Sequence, residues 1–124
     1  LPSLLGPTGK MSASIPESSI FTTDKEAQAQ KKIMNAFTGG RATVEEQRRL
    51  GANPYICSIF AQYNYIFEPD DGHLAEVERT CKSGERLCGD CKTELWSKVR
   101  PWLKAHHAAR EKAKDRIDQF MMRD

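Results

Sequence analysis

No uninterrupted apolar run in these 124 residues approaches the roughly 20 that cross a bilayer. The stretch from Leu1 to Leu5 is also too short for a signal-peptide core. A soluble, cytoplasmic chain with no membrane partner is therefore expected. No internal repeat or low-complexity segment is present. A P-loop is missing as well. That motif needs Gly, four residues, then Gly-Lys followed by Ser or Thr, and here Leu4 stands where the first Gly should be and Met11 follows Lys10. Net charge is low: 19 basic against 17 acidic residues leave +2, too little to predict nucleic-acid binding unless the charges are segregated.

Segregation is what the chain shows. From Lys92 onward there are nine Lys and Arg against five acids, with His106 and His107 beside them. The 39% hydrophobic content supports one folded domain with a real core, and the length leaves no room for a second full domain.

Four cysteines stand out. Cys81, Cys88 and Cys91 follow one another at metal-ligand spacing, with six and then two residues between them, and Cys57 lies well upstream. Two disulfides would suit a secreted protein, but no export signal is visible and the clustering fits a reducing compartment. Four thiolates suit tetrahedral zinc or an iron-sulfur cluster, and four reduced thiols packed in a core use the same residues; composition does not choose.

The periodicity is helical. Residues 1–19, rich in Gly, Pro, Ser and Thr, read as an exposed irregular loop. Thr23 and Glu26 have the spacing of a capping box and predict a helix over 24–37, ended by Gly39 and Gly40. Thr43 and Glu46 repeat that signal for a short helix closed by Gly51. Asn53-Pro54 then opens an apolar, aromatic helix over 55–67. Acids at Asp70 and Asp71 start a fourth helix that stops near Gly84. The last, from about Asp90 onward, carries Leu95, Val99, Trp102, Leu103, His106, Ala109, Ala113, Ile117, Phe120 and Met121 at helical spacing, with Pro101 inside it. The fold class expected is all-α, a bundle of about five helices preceded by an irregular loop. His106 and His107 point about 100° apart on such a helix, so one metal site does not take both. Trp96 and Trp102 read as core or partner anchors.

The residues Lys10-Met11-Ser12-Ala13-Ser14, after Gly6-Pro7-Thr8-Gly9, suit a phosphate. Nucleotidyl transfer from ATP builds negative charge on departing pyrophosphate, so a Lys on a loop can stabilise the transition state more than the ground state. Gly9 lets backbone approach the phosphate oxygens, and the Ser12 and Ser14 hydroxyls can bond them. A flexible Ser and Gly linker is the plain alternative.

Further landmarks follow in order: Ile20-Phe21-Thr22-Thr23-Asp24, Phe37-Thr38-Gly39-Gly40-Arg41, Thr43-Val44-Glu45-Glu46-Gln47-Arg48, Phe67-Glu68-Pro69-Asp70-Asp71-Gly72 with Leu74, Ser83-Gly84-Glu85, and Gly89-Asp90 with Lys92. With these the chain resembles tryptophanyl-tRNA synthetases of the archaeal and eukaryotic cytosolic type over essentially its whole length. The resemblance implies a class I enzyme that activates tryptophan with ATP and magnesium and charges tryptophan tRNA as a homodimer. In it Lys10 is catalytic, and Lys10, Met11, Ser12, Ala13 and Ser14 form the ATP loop. The general class pattern has a second Lys where Ala13 stands, so Lys10 would carry the loop's charge.

The first ATP signature of such enzymes has no counterpart here, and the chain starts at Leu1 rather than Met. A carboxyl-terminal piece, inactive alone, is therefore expected: residues 1–22 as the phosphate loop and edge of a catalytic domain, and residues 23–124 as a helical anticodon-binding domain. Lys92, Lys98, Arg100, Lys104 and Arg110 are the candidates for tRNA phosphates. Some tryptophan enzymes hold a four-iron, four-sulfur cluster on cysteines at nearly this spacing. That resemblance points Cys57, Cys81, Cys88 and Cys91 toward such a cluster, with zinc next. A noncatalytic nucleic-acid module organised by the four cysteines is the rival reading.

Overall fold

A computed structural model describes the backbone of residues 2–10 and 15–121. Two short antiparallel strands, β1 (Pro2–Ser3) and β2 (Gly6–Lys10), precede five α-helices: α1 (Glu26–Met34), α2 (Val44–Leu50), α3 (Ser58–Gln62), α4 (Asp71–Ser83) and α5 (Cys88–Met121). The all-α expectation holds for the body of the molecule. The ribbon, pairing Pro2 with Lys10 and Ser3 with Gly6, is confined to the leading edge.

Local chemistry sets the helix ends. Thr43 caps α2 as its sequence predicts, its hydroxyl accepting the Glu46 amide at 3.1 Å. The Thr23–Glu26 box does not form. Asp24 instead accepts the Phe21 amide and pairs with Lys32 at 2.7 Å, so the helix begins two residues late, with the Gln28 side chain accepting the Lys25 amide. It also ends early, because the Phe37 amide leaves the helical pattern to donate to the Leu4 carbonyl of the ribbon. Asp70 caps α4 by accepting the amides of Gly72 and His73.

The single helix expected over 55–67 is three pieces. Asn53 caps a 3-10 turn at Pro54–Ile56, α3 follows, and a π-helical turn spans Tyr63–Phe67, closed by the Glu68 amide on the Tyr63 carbonyl. Each change of winding rotates the side chains. Ile59 and Tyr63 face inward with no exposure, whereas Ile56 and Ile66 of the same apolar run are exposed.

The core joins α1, α3 and α5 through Ile33, Ala36, Ile59, Tyr63, Leu95 and Val99, with Leu4 of the ribbon sealed into the same cluster. Leu95, Val99 and Leu103 recur every fourth residue, one stripe of α5 with no exposed surface. Burying each such side chain is worth about 1.5–3 kcal/mol. Leu4, Ser18 and Ser19 are buried, so the exposed loop expected over 1–19 is anchored instead. The Leu4 amide donates to the Ser18 carbonyl, and the Ser58 hydroxyl to the Ser3 carbonyl at 2.8 Å. α5 continues through Pro101, whose ring is exposed.

Gly51 and Gly84, with φ of +76° and +83°, let the ends of α2 and α4 meet backbone to backbone. A Cβ on Gly51 would lie 1.8 Å from the Lys82 carbonyl oxygen, and one on Gly84 would lie 2.3 Å from that of Gln47. Among the described residues no helix is long and apolar enough to cross a membrane.

Candidate nucleic-acid interface and thiol pocket

Lys10 ends β2, paired across the ribbon with Pro2. Met11, Ser12, Ala13 and Ser14 lie outside the described residues, as does the side chain of Lys10.

Three helix ends bring the four cysteines together. Cys57 is the residue before α3, Cys81 sits in the last turn of α4, and Cys88 and Cys91 share one face of the first turn of α5. All are free thiols lining one small cavity of about 20 Å³, which they share with Arg86, Val77, Ile59 and Phe60. Burial, and then the neighbouring Cys57, Cys91 and Cys88, push the Cys81 thiol up to about 12. Burial raises Cys91 too, although the Arg86 guanidinium beside it pulls the other way. Arg86 itself pairs with Glu94 and lies next to Cys91 and Tyr63. Burial would lower its affinity for the proton, but those two neighbours more than offset that. Tyr63, raised mainly by burial, donates to the Cys91 carbonyl at 3.0 Å.

This arrangement does not fit a bound metal as it stands. Among the described residues no group of three or more His, Cys, Asp or Glu side chains is set to hold one ion. The cavity has room for about one water-sized sphere, far less than an eight-atom iron-sulfur cube requires. Cys88 is engaged by Gln47, whose amide nitrogen lies 3.4 Å from Sγ.

All five cations expected to face RNA sit on α5, and each has an internal neighbour. Lys92 donates to the Met34 carbonyl at 2.7 Å, and Lys98 pairs with Glu68 at 2.8 Å. Glu68 is only 5% exposed, and hydrogen bonding to Lys98 holds its carboxyl below the usual range against the effect of burial. The other three are held loosely. Arg100 and Lys104 approach Glu26 Oε1 at 3.5 and 3.7 Å, and Arg110 reaches the Thr22 carbonyl at 3.5 Å. His106 stacks edge-on against Trp102, with ring centroids 4.7 Å apart, and Trp102 packs in turn on Phe67. The neighbouring His107 is half-buried.

A cleft beside the first turn of α5, lined by Arg41, Thr43, Gln47, Cys88 and Asp90 among others, escaped the sequence reading. Arg41 is held there by its Nε bond to the Gly51 carbonyl at 2.8 Å. Its place in the Gly39-Gly40-Arg41 landmark was the available signal.

The family model described as tRNA synthetases class I (W and Y) matches residues 1–104. The chain is 50% identical to a tryptophan–tRNA ligase of Pyrobaculum calidifontis over 113 residues, 91% of this chain and 30% of that protein. It is 50% identical to that of Thermococcus sibiricus over 121 residues, 97% and 32% respectively. The crystal structure of tryptophanyl-tRNA synthetase from Aeropyrum pernix K1 superposes with a TM-score of 0.87 at 45% identity, covering 92% of this chain and 30% of that one. The Giardia lamblia tryptophanyl-tRNA synthetase gives 0.85 at 38%, covering 90% and 28%. The chain thus spans about 30% of the length of the curated relatives it matches.

Proposed function

Because the chain belongs to the class I tRNA synthetases of the tryptophan and tyrosine group, we propose that it is the tRNA-binding part of a tryptophan–tRNA ligase, its helices meeting the anticodon loop. One observation carries this reading: a cleft at the start of α5 that holds Arg41, Thr43, Gln47 and Asp90, and a row of exposed cations further along, are both built on that long helix. The cleft supplies donors and acceptors for unstacked bases, and the cations supply charge for the backbone. Filter binding with tryptophan tRNA and anticodon-altered transcripts tests it. Weaker binding of the altered RNAs is expected, and equal affinity for all of them would leave only phosphate attraction.

In the whole enzyme, a cytoplasmic homodimer on this reading, the tryptophan carboxylate attacks the α-phosphorus of ATP. The P–O bond to the β-phosphate breaks, with its electron pair leaving on pyrophosphate. Lys10, with Met11, Ser12, Ala13 and Ser14, holds the departing charge, and magnesium supplies further neutralisation when bound. Alone, the chain is expected to bind RNA and to activate no amino acid.

A second reading, a nucleic-acid module organised by zinc or a four-iron, four-sulfur cluster, has one observation in its favour: Cys57, Cys81, Cys88 and Cys91 line one cavity. It requires the thiols to close on a ligating geometry they do not have here. Protein prepared without oxygen that holds neither iron nor zinc would end it.

A further inference from the structure

The five α5 cations are not equivalent. Lys92 and Lys98 have short bonds to internal acceptors, at 2.7 and 2.8 Å, and pin α5 to the end of α1 and to the segment before α4. Arg100 and Lys104, 53% and 56% exposed, share a single carboxylate oxygen of Glu26 at 3.5 and 3.7 Å. Charge-assisted bonds of good geometry run to about 2.7–2.9 Å, so both pairs are slack. One negative charge between two cations leaves the trio positive. Arg110 adds its charge where α5 passes Thr22, its only partner among the described residues a carbonyl, and exposed Lys25 adjoins Glu26 in the chain. Glu111, exposed about two turns beyond Lys104 on the same side of α5, bounds the patch with the opposite sign.

Resting on the tRNA-binding reading above, we propose that Arg100, Lys104 and Arg110 form a seat for the RNA backbone along the α1–α5 seam, and that Glu26 is its internal competitor. A phosphodiester offers two unbridged oxygens to the two cations that Glu26 holds through one, so docking RNA displaces the carboxylate at little cost to the fold. Glu26 then works as a filter. RNA reaching only this seat meets a carboxylate already in place, whereas RNA also engaged elsewhere on the molecule pushes it aside. Backbone contacts carry no sequence information, so the filter acts alike on cognate and altered anticodons.

The test is filter binding by the full 124-residue chain, across 50–200 mM salt, of a transcript with the tryptophan anticodon and one with that anticodon altered. Circular dichroism checks that each variant is folded. Glu26→Gln is expected to tighten both transcripts several-fold and by the same factor. The double variant Arg100→Gln with Lys104→Gln is expected to weaken both and to flatten the log–log salt slope by about 2. Glu76→Gln on α4, whose partner is Arg79, removes the same charge elsewhere and is expected to change little. The proposal is overturned if Glu26→Gln binds as wild type does, if Glu76→Gln tightens as much, if the double variant keeps the wild-type slope, or if wild type binds no RNA. Should both transcripts bind equally while Glu26→Gln still tightens them, the seat stands and the anticodon reading falls.

Discussion

The two halves of α5 are wound alike and used in opposite ways. From Leu95 to Leu103 every fourth residue is sealed, Leu95 and Val99 in the core shared with α1 and α3, and Lys92 and Lys98 are tied to neighbouring elements. From 108 to 117 every side chain is exposed, and the helix rests on residues that favour it intrinsically, Ala, Arg, Glu and Lys. Stability therefore resides in the first half and available charge in the second, with Arg100 and Lys104 at the changeover. A periodic apolar pattern says that a face exists and not that anything covers it.

The largest test of this contrast is Leu95→Ala. Deleting a fully buried leucine from the shared core should cost about 2–5 kcal/mol in chemical denaturation. A loss below about 1 kcal/mol would break the comparison.

Next comes Lys98→Met, which removes the cation from the buried Glu68 carboxylate and leaves it the Asp70 amide, and should cost about 1–3 kcal/mol at neutral pH. Because Glu68 titrates below its unfolded range, its contribution is present above the unfolded carboxylate pKa and is lost as pH falls through the folded one. The gap between wild type and variant should therefore narrow as the pH falls below the ordinary carboxylate range, read as thermal midpoints.

An alkaline effect follows from Cys81. Its thiol, pushed up to about 12, ionises more readily in the unfolded chain, so stability should be intact below the ordinary thiol pKa and decline as pH rises toward 12. Cys81→Ser should flatten that decline. In the second half, Ile117→Ala should stay within about 0.5 kcal/mol, since its side chain is already 59% exposed. A larger loss would mean that the overhang packs on something.

Elements set by local chemistry were legible in the sequence. Thr43, Asp70, Gly51 and Gly84 ended helices where their side chains or φ angles require. Elements set by distant partners were not. Asp24, expected as the first residue of its helix, pairs with Lys32 ahead of it, and Phe37 left that helix for a ribbon residue more than thirty positions earlier. The apolar run over 55–67 gave no hint that its winding changes at Cys57 and Tyr63. Spacing grouped the four cysteines but could not say that Arg86 and Gln47 would stand among them.

The glycine joint between α2 and α4 has a consequence for that pocket. Gln47 belongs to α2, yet its side chain reaches Cys88 and the Arg86 carbonyl, contacts that hold only while the two helix ends stay in backbone contact. A single methyl at position 84 would lie 2.3 Å from the Gln47 carbonyl oxygen and 2.7 Å from that of Arg48, so it would press on the α2 end that carries Gln47. The contact between Gln47 and the Cys88 sulfur thus depends on two residues that carry no side chain.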